Sequence, residues 1–410
     1  MTREFLYDTI KTDGDFMIQI NNKTECCGCF ACVNICPKNC ITMKLDEEGF
    51  RYPHIDTSAC VGCGMCERVC PLLGGADGVR KERKGIKSVA CYNKEKEALA
   101  KSASGGAAHL LGEYVVQSNG VVFGAVGDMK TKVWHIMAEN EADLELLQGS
   151  KYLQSHMDLN YRLAKIQLEK GRLVLFTGTP CQIAGLYGYL GKDYDNLITA
   201  DLVCHGVPSE KVFEKYITEH EEKTGKKVIS FFRDKEGGWK PVLFSYIYED
   251  GTKVTETGRK DKFNMGFTTN LFQRPSCYTC KFAPMERIGD ITVGDWFGGT
   301  KYKELDPENK GLSMIVINSP KGEKFYELIK EKMETTEYSV EEAVKESVHL
   351  GTKPHINFMR KDFFAHFEKM TYDELFKRYF PSDKAGKLRN AILRRIYRMK
   401  YKKDITKMFR

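Results

Sequence analysis

No stretch of the chain reaches the roughly 20 consecutive apolar residues that a bilayer-spanning helix needs. The most apolar candidate, residues 110–127, is interrupted by Glu113, Gln117 and further polar residues. Residues 1–16 also lack the apolar segment of a secretory signal. A secreted disulfide scaffold is therefore excluded, and we expect a cytoplasmic protein whose thiols bind metal or do redox chemistry.

Positive charge is scarce outside the C-terminal end of the chain. The 410 residues carry a net charge of +7, while residues 382–410 alone hold 11 Lys+Arg and 2 Asp. The rest of the chain is therefore slightly acidic, which excludes a nucleic-acid-binding body. With 42% hydrophobic and 29% charged residues, the composition is that of an ordinary folded protein.

Cysteine, by contrast, is abundant, and most of the 15 cysteines follow a repeat. The spacing C-x2-C-x2-C-x3-C-P occurs twice, 34 residues apart, and it is typical of bacterial ferredoxins, in which the fourth cysteine of each run binds the other cluster. Zinc sites favour widely separated CxxC pairs instead. We predict two 4Fe-4S clusters, one held by Cys26, Cys29, Cys32 and Cys70, the other by Cys60, Cys63, Cys66 and Cys36.

The remaining cysteines fall into two groups. Cys27, Cys40 and Cys91 are expected to be packing residues. The other four, which follow predicted strands or turn-forming residues, suggest a third metal site made by Cys181, Cys204, Cys277 and Cys280. Their spacing alone fits zinc nearly as well as iron–sulfur, and a redox-active Cys181 or four unrelated buried cysteines are further alternatives.

The hydrophobic patterning predicts an α+β protein, with a bacterial ferredoxin-like module, a mixed α/β body and a helical C-terminal tail. A polar, lysine-rich stretch at residues 74–87 separates the module from the body. The predicted regions are residues 17–75 for the 2x 4Fe-4S module and 336–410 for the basic tail, with the body between them.

Two loops of the body have the character of cofactor loops. Ser104, Gly105 and Gly106 run into a predicted helix, an arrangement that can bind phosphate, although a simple tight turn explains them as well. Residues 148–155 form a polar loop whose lysine could neutralise a phosphate or an anionic flavin ring. Isolated polar residues offer weaker candidates for acids or turn residues: His109, His135, His205, Asp290 and Asp295.

Taken together, these motifs resemble the beta subunit of coenzyme F420 hydrogenase/dehydrogenase, a family related to 7-hydroxymethyl chlorophyll a reductase. The matching segments, which span residues 88–320, are residues 104–106, 148–152, 178–182, 201–206, 277–280 and 290–296. The resemblance implies bound FAD, with a flavin-binding region at residues 88–170, and a 4Fe-4S cluster on Cys181, Cys204, Cys277 and Cys280, within a second region at residues 171–335. The residues that it implies around the flavin are Ser104, Gly105, Gly106, Gln148, Gly149, Ser150, Lys151 and Gln154.

The resemblance also implies an FAD- and iron–sulfur-dependent oxidoreductase. Electrons would pass between a ferredoxin or another redox protein, the three clusters, FAD and a small organic substrate, with the deazaflavin coenzyme F420 as the family's example. No residue indicates the substrate, the direction of flow or the proton donor, so the catalytic residues are unknown. The alternative is a polyferredoxin-type carrier or scaffold without flavin or substrate.

The tail carries its own pattern. Leu388, Ile392, Ile396 and Met399 follow helical spacing within residues 384–410, and basic residues cover the other faces. Such a helix can lie on an anionic membrane surface, which would add peripheral membrane contact to a cytoplasmic protein. Packing of the stripe on the protein's own body, or docking of the basic residues to an acidic ferredoxin, are the alternatives.

Overall fold

The structure is a computed structural model, and it describes residues 17–77, 79, 85, 87–127, 132–297, 302–347 and 349–409. Residues 1–16, part of the predicted boundary at 74–87, and Arg410 in the tail lie outside the described residues. The strands of the described part, numbered in chain order, are β1 (Ile41–Leu45), β2 (Arg51–Ile55), β3 (Lys87–Asn93), β4 (Val121–Gly127), β5 (Val133–Ala138), β6 (Val174–Gly178), β7 (Leu197–Leu202), β8 (Val228–Asp234), β9 (Leu243–Tyr248), β10 (Lys253–Thr257), β11 (Ile291–Asp295), β12 (Ser313–Ile317) and β13 (Met333–Tyr338).

Helices are distributed along the whole described chain, as the predicted α+β class requires. They are α1 (Ala31–Ile35), α2 (Met65–Arg68), α3 (Lys96–Lys101), α4 (Ala107–Gln117), α5 (Glu141–Leu146), α6 (Asn160–Glu169), α7 (Pro180–Leu190), α8 (Glu210–Thr224), α9 (Lys262–Thr268), α10 (Tyr302–Leu305), α11 (Pro320–Ile329), α12 (Val340–Glu346), α13 (Arg360–Phe367), α14 (Tyr372–Tyr379) and α15 (Lys384–Tyr401).

The body is built on an eight-stranded mixed sheet in the order β13-β3-β12-β11-β7-β6-β4-β5. Its centre, from β11 to β4, is parallel. The apolar side chains of these strands are almost fully buried, as expected where helices cover both faces. Because parallel strands end at the same edge, the carboxyl ends of β4, β6, β7 and β11 lie together there, where open α/β sheets place their sites.

A second, antiparallel sheet of β8, β9 and β10 lies in the β-rich region that the sequence predicts. Its β9–β10 connection contains Gly251 at φ +80, the left-handed conformation expected at a hairpin turn. After Lys321 the chain is mostly helical, except for β13, which pairs with β3 at one edge of the main sheet. The side chains of β13 are largely polar and exposed, so its sequence carries little of the apolar alternation that marks a strand.

The N-terminal module has the two-fold character that its repeat predicts. Gly28 and Gly62, 34 residues apart, both have left-handed backbones, and so do Phe30 and Gly64. The module packs through α1 against α6 and α7 of the body. The contact is close, because a Cβ atom on Gly188 would lie 2.3 Å from the backbone oxygen of Val69.

Charged residues also join the module to the body. Arg360, almost fully buried at the start of α13, donates to both carboxylate oxygens of Glu48 at 3.0 and 2.7 Å. Ser209, the N-cap of α8, donates to the carbonyl of Glu48 at 2.5 Å. The module is thereby held to the body by packing, backbone hydrogen bonds and a bidentate ion pair.

The tail ends in α15 and a short 3-10 turn at Ile405–Phe409. The alternative in which Leu388, Ile392, Ile396 and Met399 pack on the body is wrong, because all four are exposed. Other residues of α15 make the contact with the body, as described below. Among the described helices, none combines the length and the apolar character that crossing a membrane requires.

Candidate metal and cofactor sites

The ferredoxin-like module contains two small cavities, and each is lined by four cysteines of the repeat. The first includes Cys26, Cys29, Cys32 and Cys70 in its lining. The second includes Cys36, Cys60, Cys63 and Cys66. These are the two crossed sets that the ferredoxin spacing predicts, so the fold brings each predicted set of ligands around one space.

The two extra cysteines of the module lie beside these sets. Cys27 lines the first cavity and Cys40 the second, where its sulfur is 3.4 Å from that of Cys36. The second cavity is closer to the surface, since Cys63 is exposed whereas Cys29 is buried. The second set of cysteines is therefore the one more accessible from outside.

The four cysteines of the body come together at the carboxyl edge of the main sheet. Cys181 lies in the first turn of α7, and Cys204 follows β7 by two residues. Cys277 and Cys280 lie in and just after a 3-10 turn at Pro275–Thr279. Each thiol lies within electrostatic range of others in the group: burial, Cys181 and Cys280 raise the pKa of Cys204 to about 12, and burial and Cys181 raise that of Cys280 to about 11.

The surroundings of these thiols suit a cluster better than a reactive cysteine. A hydrogen bond with Cys27, together with burial, raises the pKa of Cys181 well above its ordinary value, the opposite of thiolate activation. Backbone N–H groups two residues further along donate to sulfur, from Gly206 to Cys204 at 3.3 Å and from Phe282 to Cys280 at 3.4 Å. Such N–H···S bonds are among the features that tune iron–sulfur clusters.

Zinc would need a tighter arrangement, with four sulfurs about 2.3 Å from one ion. In the part of the chain that the structure describes, no three His, Cys, Asp or Glu side chains converge closely enough to hold a metal ion.

Cysteines of the module and of the body come into contact beside the first cavity. Cys27 lines that cavity, and its thiol is in hydrogen-bonding contact with that of Cys181. Cys29, a member of the first set, lies against α7, because a Cβ atom on Gly185 would lie 3.0 Å from its sulfur. Cys27 and α7 thus lie between the first module set and the body cysteines.

Arg274 occupies this junction and is almost fully buried. Its Nε donates to the carbonyl of Cys26 at 2.9 Å, and its Nη2 donates to the carbonyl of Arg51 at 2.7 Å and approaches the sulfur of Cys26 at 3.5 Å. Among the described residues its hydrogen-bond acceptors include no carboxylate. Although burial opposes its charge, Cys26, Tyr52, Cys27 and Cys277 raise the pKa of Arg274, so the guanidinium lies in the field of both groups of thiols.

A larger cleft, of about 720 Å³, opens beside the same edge of the main sheet. This volume is within the range of cofactor pockets. Predicted flavin residues line one side of it, namely Gln148, Gly149, Ser150 and Lys151. Basic side chains outnumber acidic ones in the lining, with Lys96, Lys101, Lys151, Arg233, Lys235 and Lys310 against Asp234, Glu236 and Glu308.

Several polar groups of this cleft have no partner within the protein. The Nε and Nη2 atoms of Arg233 and the Oε1 atom of Gln148 are buried and make no hydrogen bond. Burial lowers the pKa of Lys151 to about 8, and that of Lys235 also to about 8. Buried cations and unpaired donors gain most from an anionic ligand, so the lining fits the pyrophosphate or anionic ring of FAD.

Aromatic residues connect this cleft to the body cysteines. Tyr152 follows Lys151, and its ring contacts that of Phe267 at 6.2 Å. Phe267 in turn contacts the ring of His205, the neighbour of Cys204, at 4.9 Å. Burial and Asp295 raise the pKa of Tyr152 to about 12 despite the opposing effect of Arg233, so its hydroxyl stays protonated at neutral pH.

Four of the predicted flavin residues lie elsewhere. Ser104, Gly105 and Gly106 stand behind the cleft: the carbonyl of Ser104 accepts from Lys235 at 2.8 Å, and a Cβ atom on Gly105 would lie 2.2 Å from the carbonyl oxygen of Cys91. Their neighbours Ser102 and Ala103 line the cleft instead. Gln154 is at the junction with the module, where it donates to the carbonyl of Cys27 at 2.8 Å.

The candidate histidines have mainly structural partners. His109 shares a 2.7 Å hydrogen bond with Gln148, and burial lowers its pKa. His135 bonds the carbonyl of Thr177 at 2.8 Å, and burial lowers its pKa to about 4. The ring of His205 lies against His349, with 2.9 Å between their Nδ1 atoms. Among the described residues that line the cleft, none is a histidine.

The two strand-end carboxylates differ from each other. Asp290 is buried and accepts from the backbone and hydroxyl of Thr199 at 3.0 and 2.8 Å, so its role is structural. Asp295 pairs with Arg233 at 2.5 Å and so positions that guanidinium in the cleft.

The sequence did not predict Arg233, Lys235 and Arg274 as functional residues. Only Arg274 offered a signal, because it lies three residues before Cys277.

Comparison with known proteins agrees with this description. Residues 171–342 match the family model that describes the C terminus of the beta subunit of coenzyme F420 hydrogenase/dehydrogenase, and residues 25–72 match the 4Fe-4S dicluster domain. No curated protein matches the chain. A solved structure of the F420-reducing NiFe hydrogenase complex from Methanosarcina barkeri is similar, with 20% identity and a TM-score of 0.45 over 72% of this chain and 93% of that chain.

The two family models account for the two groups of cysteines that the fold separates. The dicluster model covers the module cysteines, and the hydrogenase/dehydrogenase model covers Cys181, Cys204, Cys277 and Cys280. Residues 25–72 are therefore similar to a 4Fe-4S dicluster domain, and residues 171–342 are similar to the C terminus of the coenzyme F420 hydrogenase/dehydrogenase beta subunit; the two matches together support an iron–sulfur redox role in electron transfer.

Proposed function

We propose that the chain carries electrons between an external redox protein and FAD bound in the large cleft, and that a small organic substrate or a deazaflavin such as coenzyme F420 reacts there. Iron–sulfur clusters pass single electrons, whereas a flavin holds two and exchanges them as a hydride. The observation that carries the proposal is the cationic cleft with its unpaired Arg233 atoms, connected through Tyr152 to the body cysteines.

The order of the sites supports a route with one entrance. The second module set contains the exposed Cys63, so its surface is open to a redox partner. The first set is more buried, and Cys27, which lines its cavity, contacts Cys181 of the body. The cleft comes last, beyond Tyr152 and Phe267. In this proposal twelve cysteines hold three 4Fe-4S clusters. Each of the two expected regions of the body, residues 88–170 and 171–335, contributes residues to the lining of the cleft.

Within the cleft, this chain's own residues would bind and orient. Arg233 is fixed by Asp295 and by the ring of Trp239, whose centroid is 4.5 Å from the guanidinium carbon, and its Nε and Nη2 atoms keep N–H groups without a partner. Lys151 is fixed by carbonyls of its own loop, including that of Leu147 at 2.9 Å. Arg233 would therefore supply the hydrogen bonds to an anion, while Lys151 adds positive charge to the same lining.

Anaerobic purification and cofactor analysis test the proposal against a carrier without flavin. We expect about twelve irons per chain, since three cubanes hold four each, together with one FAD whose absorption emerges after the clusters are bleached. Reduction of coenzyme F420 by the reduced protein is then measured without oxygen. About eight irons and no flavin would instead support the polyferredoxin-type carrier.

Replacement of Arg274 tests the route through the junction. A buried cation favours the more negative, reduced state of a neighbouring cluster, so Arg274→Gln should lower the reduction potential of the cluster on the first module set. At about 6 Å and an effective dielectric constant of about 20, Coulomb's law gives a shift on the order of 100 mV. Potentiometric EPR titration measures it.

A lysine at position 274 separates the effect of the positive charge from that of the guanidinium geometry. Arg274→Lys keeps the cation and should retain most of the potential, although it loses the bidentate geometry of the guanidinium. Equal shifts in both variants, or no shift in either, would contradict an electrostatic role for Arg274 at the junction.

A further inference from the structure

Helix α15 presents two different faces. The face toward the body contains the buried residues Gly386, Asn390 and Tyr401 and the half-buried Leu393 and Tyr397. The amide of Asn390 donates to the carbonyls of Arg378 and Tyr379 at 2.9 and 3.2 Å. The packing of α15 on the body is thus complete without the apolar stripe that the sequence singles out.

That stripe lies on the opposite side of the helix. Leu388, Ile392, Ile396 and Met399 are separated by four, four and three residues, which places them on one side of an α-helix. Their exposed fractions are 63%, 51%, 49% and 67%. Isolated exposed apolar residues are common, but a continuous row of four that no described residue covers is typical of an interaction surface. We name these four residues the outer stripe.

Basic residues border the outer stripe on both sides. By helical geometry Arg389 and Lys400 fall on one side, and Lys384, Arg395 and Arg398 fall on the other. The helix contains seven Lys or Arg and no Asp or Glu. Among the described residues, none of these seven forms an ion pair with a carboxylate. An apolar row between two rows of positive charge complements a surface that is apolar inside and anionic at its boundary.

We propose that α15 is a peripheral membrane anchor that lays the outer stripe on an anionic lipid surface. The apolar side chains would enter the boundary between headgroups and acyl chains, while the bordering cations meet the lipid phosphates. A second copy of this chain is a poorer occupant, because pairing two outer stripes would also bring two sets of unpaired cations together. The proposal is independent of the flavin and of the substrate.

The anchor would be firmly attached to the rest of the protein. After α15, the ring of Phe409 stacks on that of Tyr278 with centroids 5.7 Å apart, and Tyr278 lies between Cys277 and Cys280. The amide of Asn22, in the ferredoxin-like module, donates to the carbonyl of Thr406 at 3.0 Å. Binding of α15 to a surface would therefore hold both the module and the body cysteines in a fixed orientation.

Vesicle sedimentation with the complete, cluster-loaded chain tests the anchor. The probe is a vesicle of phosphatidylcholine with phosphatidylglycerol, compared with phosphatidylcholine alone, each at low and high salt. We expect sedimentation with the anionic vesicles at low salt, at least tenfold weaker affinity for the neutral ones, and a marked loss at high salt. Ile392→Ser with Ile396→Ser should weaken binding to anionic vesicles at least tenfold.

The control is a pair of exposed leucines elsewhere, Leu163→Ser with Leu328→Ser, which should bind as the unchanged chain does. All substituted positions are exposed, and unchanged iron content and melting temperature will show that folding is intact. Full-length protein that stays in the supernatant at low salt overturns the proposal. So does equal binding to neutral vesicles, equal binding of the stripe variant, or a dimer in light scattering that the stripe variant dissociates.

Discussion

Replacing Cys277 or Cys204 by serine is expected to lower the iron content from about twelve to about eight per chain. Each of these thiols lies in the field of the other body cysteines, and serine is a poor ligand for iron–sulfur clusters. The flavin in the cleft should then no longer be reduced by a reduced ferredoxin. Iron analysis and anaerobic stopped-flow absorbance measure the two effects.

Two other cysteines provide matched controls for these variants. Cys27→Ser removes a thiol that touches Cys181, and Cys91→Ser removes one that is fully buried in β3, but neither belongs to a predicted ligand set. Both should keep about twelve irons. If all four body cysteines can be replaced without loss of iron, the third cluster does not exist in this chain.

Replacing Arg233 by alanine is expected to weaken FAD binding about 100-fold. The two unpaired nitrogens of Arg233 offer two charge-assisted hydrogen bonds, together worth about 3 kcal/mol. Flavin retention during gel filtration, followed by titration of the apoprotein with FAD, gives the dissociation constants. Iron content should stay unchanged, because Arg233 lies in the cleft and not among the cysteines.

The same titration has an expected pH dependence. Burial holds the pKa of Lys151 and of Lys235 near 8, so these side chains are charged below that pH and lose their charges as the pH rises through it. FAD affinity should therefore fall between about pH 7 and 9.

The control for Arg233→Ala is Arg172→Gln, which removes an arginine that pairs with Glu139 away from the cleft and should retain FAD. Equal affinity of Arg233→Ala and the unchanged chain would exclude this cleft as the flavin site.

The sequence indicated the cysteine groups well because ligand spacing is a local property. Three cysteines of each module set lie within seven residues, so their pattern can be recognised in the sequence without knowledge of the fold. The same holds for Pro180, whose preference for the first turn of a helix places the start of α7 and thereby Cys181. The predicted α+β class and most central strands follow from buried apolar runs.

Residues that come together from distant segments were harder to predict. Arg233 on β8 and Arg274 before the 3-10 turn are single charges with no local pattern, and only the fold brings them to the cleft and the junction. A glycine in the sequence indicates a close backbone approach but does not show which group approaches. For Gly105 that group is the carbonyl of Cys91, behind the cleft, and not a ligand in the cleft. In α15, helical spacing revealed the outer stripe, but the second row of Leu393, Tyr397 and Tyr401 makes the contact with the body.

The fixed attachment of the ferredoxin-like module has a kinetic consequence. The ion pair of Arg360 with Glu48 and the close contact of Val69 with Gly188 of α7 attach the module to the body. The first cysteine set therefore does not reach the body by diffusion. In the proposed route, passage across the junction is therefore a first-order event, independent of protein concentration and of ionic strength. Only the encounter at the exposed second set would slow as salt screens the approach of a charged partner. Salt and protein concentration would then change the arrival of electrons at the chain and not their passage across the junction.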